Sequence, residues 1–171
     1  ASSLSDLFDC PARWEAKNLN NKRMPSCAKA RIGTSVHEAV THWDYSNLLG
    51  ETPYLDECQD ILHSQIWDAD EDTDWSDMDQ NTVESVAQSL MNKYITQIAP
   101  TQKYIGVEVK CEPLILSDLG LELTGTIDRI YENENRELGI GDIKTGKMAT
   151  SSDGTVKTVG HAPQMGIYTV L

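Results

Sequence analysis

Two aspartates and a lysine in the second half of the chain have the types and spacing for phosphate chemistry. Asp128 stands in GTIDRIY (125–131) and Asp142 in GIGDIKTG (139–146), segments that read as neighbouring strands joined by a short hairpin. Antiparallel pairing brings the two carboxylates side by side. In a strand, residues i and i+2 share a face, so Lys144 points the same way as Asp142. Two carboxylates and an ammonium on one sheet edge suit a hard divalent cation, Mg²⁺ or Mn²⁺, whose oxygen shell a phosphate can complete. The lysine can neutralise charge that develops on the phosphoryl group or orient an attacking water. Taken alone, an Asp-x-Lys tripeptide is more often a pair of ordinary strand-end charges, and what changes the reading is the company it keeps.

The elements that must position these residues follow from hydrophobic period. Ser3 reads as the N-cap of a helix from Leu4 to about Lys17, with Leu4, Leu7, Phe8 and Trp14 near one face. Asn18 to Lys29, with Pro25, reads as loop. Helices follow over Gly33–Leu48, Leu55–Trp67 and Asn81–Ala99, the last closed by Pro100. The period then changes to two. Tyr104–Leu116, Leu121–Tyr131 and Leu138–Lys144 read as three strands, with turns at Ser117–Gly120 and Asn133–Arg136. Short turns between consecutive strands predict an antiparallel meander. A loop over 145–160 leads to a helix from Pro163 onward. This is one domain over residues 1–171, helices first, then a sheet, then a helix: α/β, with the segregation of an α+β fold. The pattern of that last helix is still running at Leu171, so a further C-terminal piece is expected.

Other segments share the order of this constellation. GTSVH (33–37) places His37 on an early helix with a glycine one turn before it, and QMGIY (164–168) puts Gln164 and Tyr168 four residues apart on one helix face. With GTIDRIY and GIGDIKTG between them, the chain resembles the RecB-type branch of the PD-(D/E)xK nuclease superfamily over nearly its whole length. That branch includes the nuclease domains of RecB and AddAB, CRISPR-associated RecB-like exonucleases and phage exonucleases.

The resemblance implies a restriction-endonuclease-like core, with a central mixed sheet carrying the three-strand meander. It also implies roles. His37, Asp128 and Asp142 would be metal ligands with the Ile143 backbone carbonyl, and an imidazole in the set tilts preference toward Mn²⁺. Lys144 would be the catalytic lysine, and Gln164 and Tyr168 would contact the substrate strand or orient the site, unless they merely pack the helix. Glu108, on the strand before, matches a position often acidic in the family; it is a candidate for a second metal or for supporting the first, or an ordinary surface residue. Arg31, just ahead of Gly33, can hold a phosphate or simply be solvated. Cys10 matches the first of four cluster cysteines in the iron–sulfur members. The other three would follow the Gln-Tyr helix, and Cys27, Cys58 and Cys111 do not have that placement, so an iron–sulfur cluster is not expected and Cys10 is read as buried packing.

Composition limits the function classes. Lys and Arg total 14 against 27 Asp and Glu, a formal net charge of −13, which repels nucleic acid at long range. DNA binding therefore rests on specific residues, with basic surface expected from a partner subunit, a fused helicase or a missing segment; an acidic proteome is another origin of the charge. The run at 68–79 places Asp68, Asp70, Asp72 and Asp79 at EF-hand-like positions, but Thr73 stands where the loop needs glycine and Asp79 where it needs glutamate. A solvated, mobile acidic loop is the better reading, and a calcium-responsive protein the weaker one. Four cysteines without a CxxC pair suit a reducing cytoplasm, and no apolar run nears the roughly 20 residues of a membrane span. The reading is a divalent-metal-dependent DNA nuclease, by resemblance an exonuclease in recombination, repair or phage DNA processing. Its rival is a catalytically silent DNA-end or partner-binding module of the same fold.

Overall fold

The computed structural model describes residues 3–68, 72–133, 135–146, 155 and 161–171. Its helical layer is built on α3 (Ala28–Leu48), whose buried residues Ala28, Ile32, Ser35, Val36, Ala39 and Val40 recur at helical spacing. Two helices lay matching stripes against it: α4 (Leu55–Trp67) with Cys58, Leu62 and Ile66, and α5 (Gln80–Lys93) with Val83, Ala87 and Met91. Each stripe steps by four residues, which keeps it on one helix face. These side chains, with Tyr94 and Ile95, form the main core. Deleting the fully buried Leu62 side chain to alanine would cost about 2–5 kcal/mol. The Asp79 carboxylate starts α5 by accepting the Thr82 backbone N–H at 3.0 Å. A π-helical turn (Tyr94–Ile98) and a 3₁₀ turn (Ala99–Thr101) end it, as Pro100 requires.

The N-terminal helix is two helices, not one: α1 (Leu4–Asp9) and α2 (Pro11–Asn18). Pro11 lacks an N–H and crowds the residue before it, so Cys10 is extended (φ −153°, ψ 93°) and only part-buried. Phe8, expected on the packed face, is 82% exposed. The loop expected to run to Lys29 ends earlier. Ser26–Cys27 (β1) pairs in parallel with Thr73–Asp74 (β2), and α3 begins directly after it. That pairing also corrects the reading of the acidic run, whose described part is anchored. Asp74 accepts the Ser76 N–H, Asp77 meets Lys29 at 2.9 Å, and Asp79 caps a helix. Asp70 and the 69–71 stretch lie outside the described residues.

The three-stranded sheet is the expected antiparallel meander, in the order β3 (Lys103–Lys110), β6 (Thr126–Glu132), β7 (Leu138–Gly141). Among the described residues, parallel pairing is confined to β1 and β2. The first two predicted strands are each broken. Pro113 cannot donate to a ladder, and beyond it β4 (Leu114–Leu116) pairs with β5 (Leu121–Leu123) as a separate hairpin turned at Gly120, whose φ is +61°. On the return, the chain leaves β5 at Thr124–Gly125 before β6 starts. The third strand ends at Gly141, so Asp142, Ile143 and Lys144 lie just past it. The final helix, α6, spans Ala162–Tyr168. Most of the 145–160 loop lies outside the described residues.

Candidate active site

Strand register sets the frame of the site. Between the pairs Val107↔Arg129 and Val109↔Ile127, Glu108 of β3 falls opposite Asp128 of β6. The pairing of β6 with β7 ends at Arg129↔Gly141, so one step further Asp142 falls opposite Asp128. Glu108 and Asp128, with Asp142 just past the end of β7, therefore form one row. Like charges directly opposite one another destabilise a sheet, so the row needs cations.

Protein cations meet it at both ends. Lys144 Nζ reaches Asp142 Oδ2 at 2.7 Å and Oδ1 at 2.9 Å. This contact replaces the alternation expected of a strand, because both residues stand beyond the end of β7. At the other end Arg129 Nη1 lies 3.4 Å from Glu108 Oε1. Over the middle stands His37 of α3, with Nε2 at 3.0 Å from Glu108 Oε1 and Nδ1 at 3.7 Å from Asp128 Oδ2. Asp128 also accepts the Ile143 backbone N–H at 3.0 Å, which ties β6 to the segment carrying Lys144.

Glycines let these elements close. A Cβ on Gly33 would stand 3.2 Å from Thr145 Oγ1, so the glycine ahead of His37 lets the segment after Lys144 lie against α3. A Cβ on Gly125 would come within 2.8 Å of the Tyr168 ring, so this glycine seats α6. From that helix Gln164 Nε2 donates to Asp142 Oδ1 at 3.3 Å and to the Tyr168 hydroxyl at 3.2 Å. Burial raises the Tyr168 pKa, with the charges of Asp128 and Asp142 adding to it, so the side chain stays a neutral phenol.

A cavity of about 470 Å³ gathers His37, Asp128, Asp142, Ile143, Lys144, Gln164 and Tyr168 on its wall. Sequence reasoning missed its other polar lining, Lys110, Thr124 and Thr126, although Lys110 and Thr126 each lie two residues from an acid of the row. Glu108, a candidate from the sequence for a second metal or for supporting the first, stands beside His37. Among the described residues, the group whose donor atoms come within 4.8 Å of one another is His37, Glu108 and Asp128. One imidazole nitrogen and two carboxylate oxygens suit Mg²⁺ or Mn²⁺. Asp142 lies in the same cavity with its carboxylate on Lys144 and Gln164. Glu108 has φ +49° inside a strand, a left-handed conformation costing a non-glycine residue about 1–3 kcal/mol, of the kind held where a site demands it.

Arg31 is not part of this wall. Its side chain is buried, and Nε and Nη2 donate to Thr73 Oγ1 at 3.2 and 2.9 Å, because its place on α3 falls on the inward face between Ala28 and Ser35.

The sequence model of the PD-(D/E)XK nuclease superfamily matches residues 1–171. The chain belongs to that superfamily. No curated protein and no solved structure matches it. Membership in the PD-(D/E)XK superfamily carries the coarse activity, a divalent-metal-dependent nuclease acting on DNA. The helices followed by an antiparallel sheet agree with the restriction-endonuclease-like fold of that superfamily. No helix among the described residues is long and apolar enough to cross a membrane.

Proposed function

We propose that this chain is a RecB-type exonuclease domain, spanning residues 1–171, that hydrolyses phosphodiester bonds at DNA ends. The observation that carries the reading is the Lys144–Asp142 ion pair on the wall of the cavity that His37 and Asp128 also line. His37, Glu108 and Asp128 would hold the Mg²⁺ or Mn²⁺, with Asp142 and the Ile143 carbonyl completing the set. The bound cation supplies Lewis-acid neutralisation of phosphoryl charge. Lys144 orients the attacking water and stabilises the charge that builds on the phosphoryl oxygens as the water oxygen bonds to phosphorus. The phosphorus–oxygen bond on the 3′ side breaks in line; the attacking water releases its proton to solvent, and the departing oxygen takes one from solvent to become a 3′-hydroxyl. Gln164 keeps Asp142 oriented, and Tyr168 packs the helix that carries Gln164.

Lys110 and Lys144 are the cations lining the cavity among the described residues, and the whole chain carries −13. The proposal therefore includes a partner subunit or a helicase that brings basic surface to the DNA, in recombination, repair or phage DNA processing, with the cytoplasm as its setting. The same charge works against DNA binding by this chain alone, and the second reading is a catalytically silent DNA-end or partner-binding module of the same fold.

Cleavage of end-labelled linear single- and double-stranded DNA, in Mn²⁺, Mg²⁺ or EDTA, separates the two. Metal-dependent shortening from the ends that Lys144→Ala abolishes supports the exonuclease. Binding of DNA ends without cleavage in either metal favours the silent module.

A further inference from the structure

The side chain best placed to organise the carboxylate row is Arg129, which stands beside Asp128 inside GTIDRIY. Arg129 is 1% exposed, and its guanidinium spends its donors on three elements. Nε donates to Asp44 Oδ2 at 2.6 Å, Nη2 to Thr41 Oγ1 at 3.1 Å, and Nη1 to the Asp128 carbonyl at 2.7 Å. Nη1 also faces Glu108 Oε1 at 3.4 Å. Asp44 is itself 1% exposed and accepts the Tyr94 hydroxyl at 2.6 Å, while that hydroxyl lies 2.8 Å from the Tyr104 hydroxyl. Tyr94 stands at the start of the π-helical turn.

The placement is systematic. His37, Thr41 and Asp44 are spaced i, i+4, i+7 on α3, so one helix face offers His37 to Glu108 while its next turns hold Arg129. Burial works against charge on Arg129, but Asp44 outweighs it and raises the pKa. A guanidinium also keeps its proton under any ordinary condition and offers a rigid, planar fork. Glu108, held in its left-handed backbone conformation, thus has its carboxylate between two donors, His37 and Arg129.

We infer that Arg129 is a positioning residue: anchored by Asp44 and Thr41, it holds the Glu108 carboxylate where Glu108, His37 and Asp128 can share one divalent cation. The inference rests on the metal reading proposed above. Arg129 itself touches neither cation nor substrate. Its effect must therefore pass through Glu108.

Calorimetric titration of Mn²⁺ into the DNA-free protein tests this, with Arg129→Lys, Thr41→Val, Glu108→Gln and the Arg129→Lys/Glu108→Gln double variant. Arg129→Lys is expected to weaken Mn²⁺ binding about 10–100-fold, as loss of a ligand-orienting partner does. Thr41→Val, which removes one anchor of near-equal volume, should weaken it less, with the circular dichroism of the wild type. The double variant should bind no worse than Glu108→Gln alone. A merely structural arginine would lower the melting temperature and leave Mn²⁺ affinity unmoved, or add its penalty on top of Glu108→Gln; either result overturns the inference. Should Arg129→Lys fail to fold, unchanged Mn²⁺ affinity in Thr41→Val overturns it. A wild type that binds no Mn²⁺ removes the metal reading itself, and the inference with it.

Discussion

The Lys144 ammonium lies within 3 Å of both carboxylate oxygens of Asp142, 2.7 Å from one and 2.9 Å from the other, although neither residue is in a strand. Asp142 is almost fully buried and Lys144 is partly open to solvent, so the lysine faces the cavity from above its counter-ion. Lys144→Ala is therefore expected to lower the cleavage rate about 10²–10³-fold, the usual loss when one preorganised charge-stabilising donor is removed. Mn²⁺ affinity should change little, since the ammonium is not a ligand. A wild-type rate in the variant, measured under single-turnover conditions, would remove Lys144 from the chemistry.

The proposed cation site of His37, Glu108 and Asp128 predicts a thermal signature without DNA. Mn²⁺ at about 100 times its dissociation constant stabilises a folded site by about 2.7 kcal/mol, so the melting temperature should rise with Mn²⁺ and return on adding EDTA. His37→Ala and Asp128→Asn should abolish most of that rise. A shift of wild-type size in both variants would put the cation elsewhere.

Gly125 tests how α6 is seated. A methyl there meets Tyr168 Cε1 at 2.8 Å and Leu171 Cδ1 at 3.2 Å, so Gly125→Ala should cost about 1–3 kcal/mol by overpacking. The strain falls on the small cluster of Cys111, Ile127 and Tyr168 rather than on the three-helix core. Cleavage should drop while far-ultraviolet circular dichroism stays close to wild type. Full activity would separate the Gln164 helix from the reaction.

Asp79 gives a pH-dependent prediction remote from the site. The Thr82 backbone N–H, then the Thr82 hydroxyl, hold its carboxyl below the ordinary value of 3.8. A depressed carboxylate stabilises the fold above its ordinary value, and that stabilisation is lost as pH falls through the folded value. Asp79→Ala should melt below wild type at neutral pH, and the gap should close in strongly acidic solution. A gap that persists unchanged there would assign the effect to something other than the cap's charge.

The four thiols should react in order of access. Cys27 is exposed, whereas burial, with the charges of Glu57 and Asp44, pushes the fully buried Cys58 thiol up to about 11. With a maleimide at pH 7, Cys27 is expected to label first and Cys58 last, as peptide mass mapping would read. Early labelling of Cys58 would mean that α4 opens away from α3.

Local and periodic features were legible in the residues alone. Stripes such as Cys58–Leu62–Ile66 and Val83–Ala87–Met91 define helix faces without reference to any partner, and alternation with short turns defines a meander. The motifs GTSVH, GTIDRIY, GIGDIKTG and QMGIY each named a residue that reaches one cavity, because strand pairing at a hairpin and helix spacing are local rules. Arithmetic on neighbours also failed locally in places. Pro11 split a helix and Pro113 a strand, each through a missing N–H, and Ser26–Cys27 found a partner 47 residues away in the acidic run.

The sequence by itself determined the helical faces, the hairpin that sets Asp142 beside Asp128, and the residue types a divalent cation needs. Tertiary structure alone decided that Glu108 completes the trio with His37 and that Lys144 closes on Asp142 from beyond the strand. It also decided that two charges on core stripes, Asp44 after Val36 and Val40 and Arg129 after Ile127, are each other's partner across 85 residues. The reason is physical. A charge at a buried position is unfavourable until an opposite charge meets it, and which one does so depends on how α3 crosses the sheet, a long-range relation that no local spacing encodes.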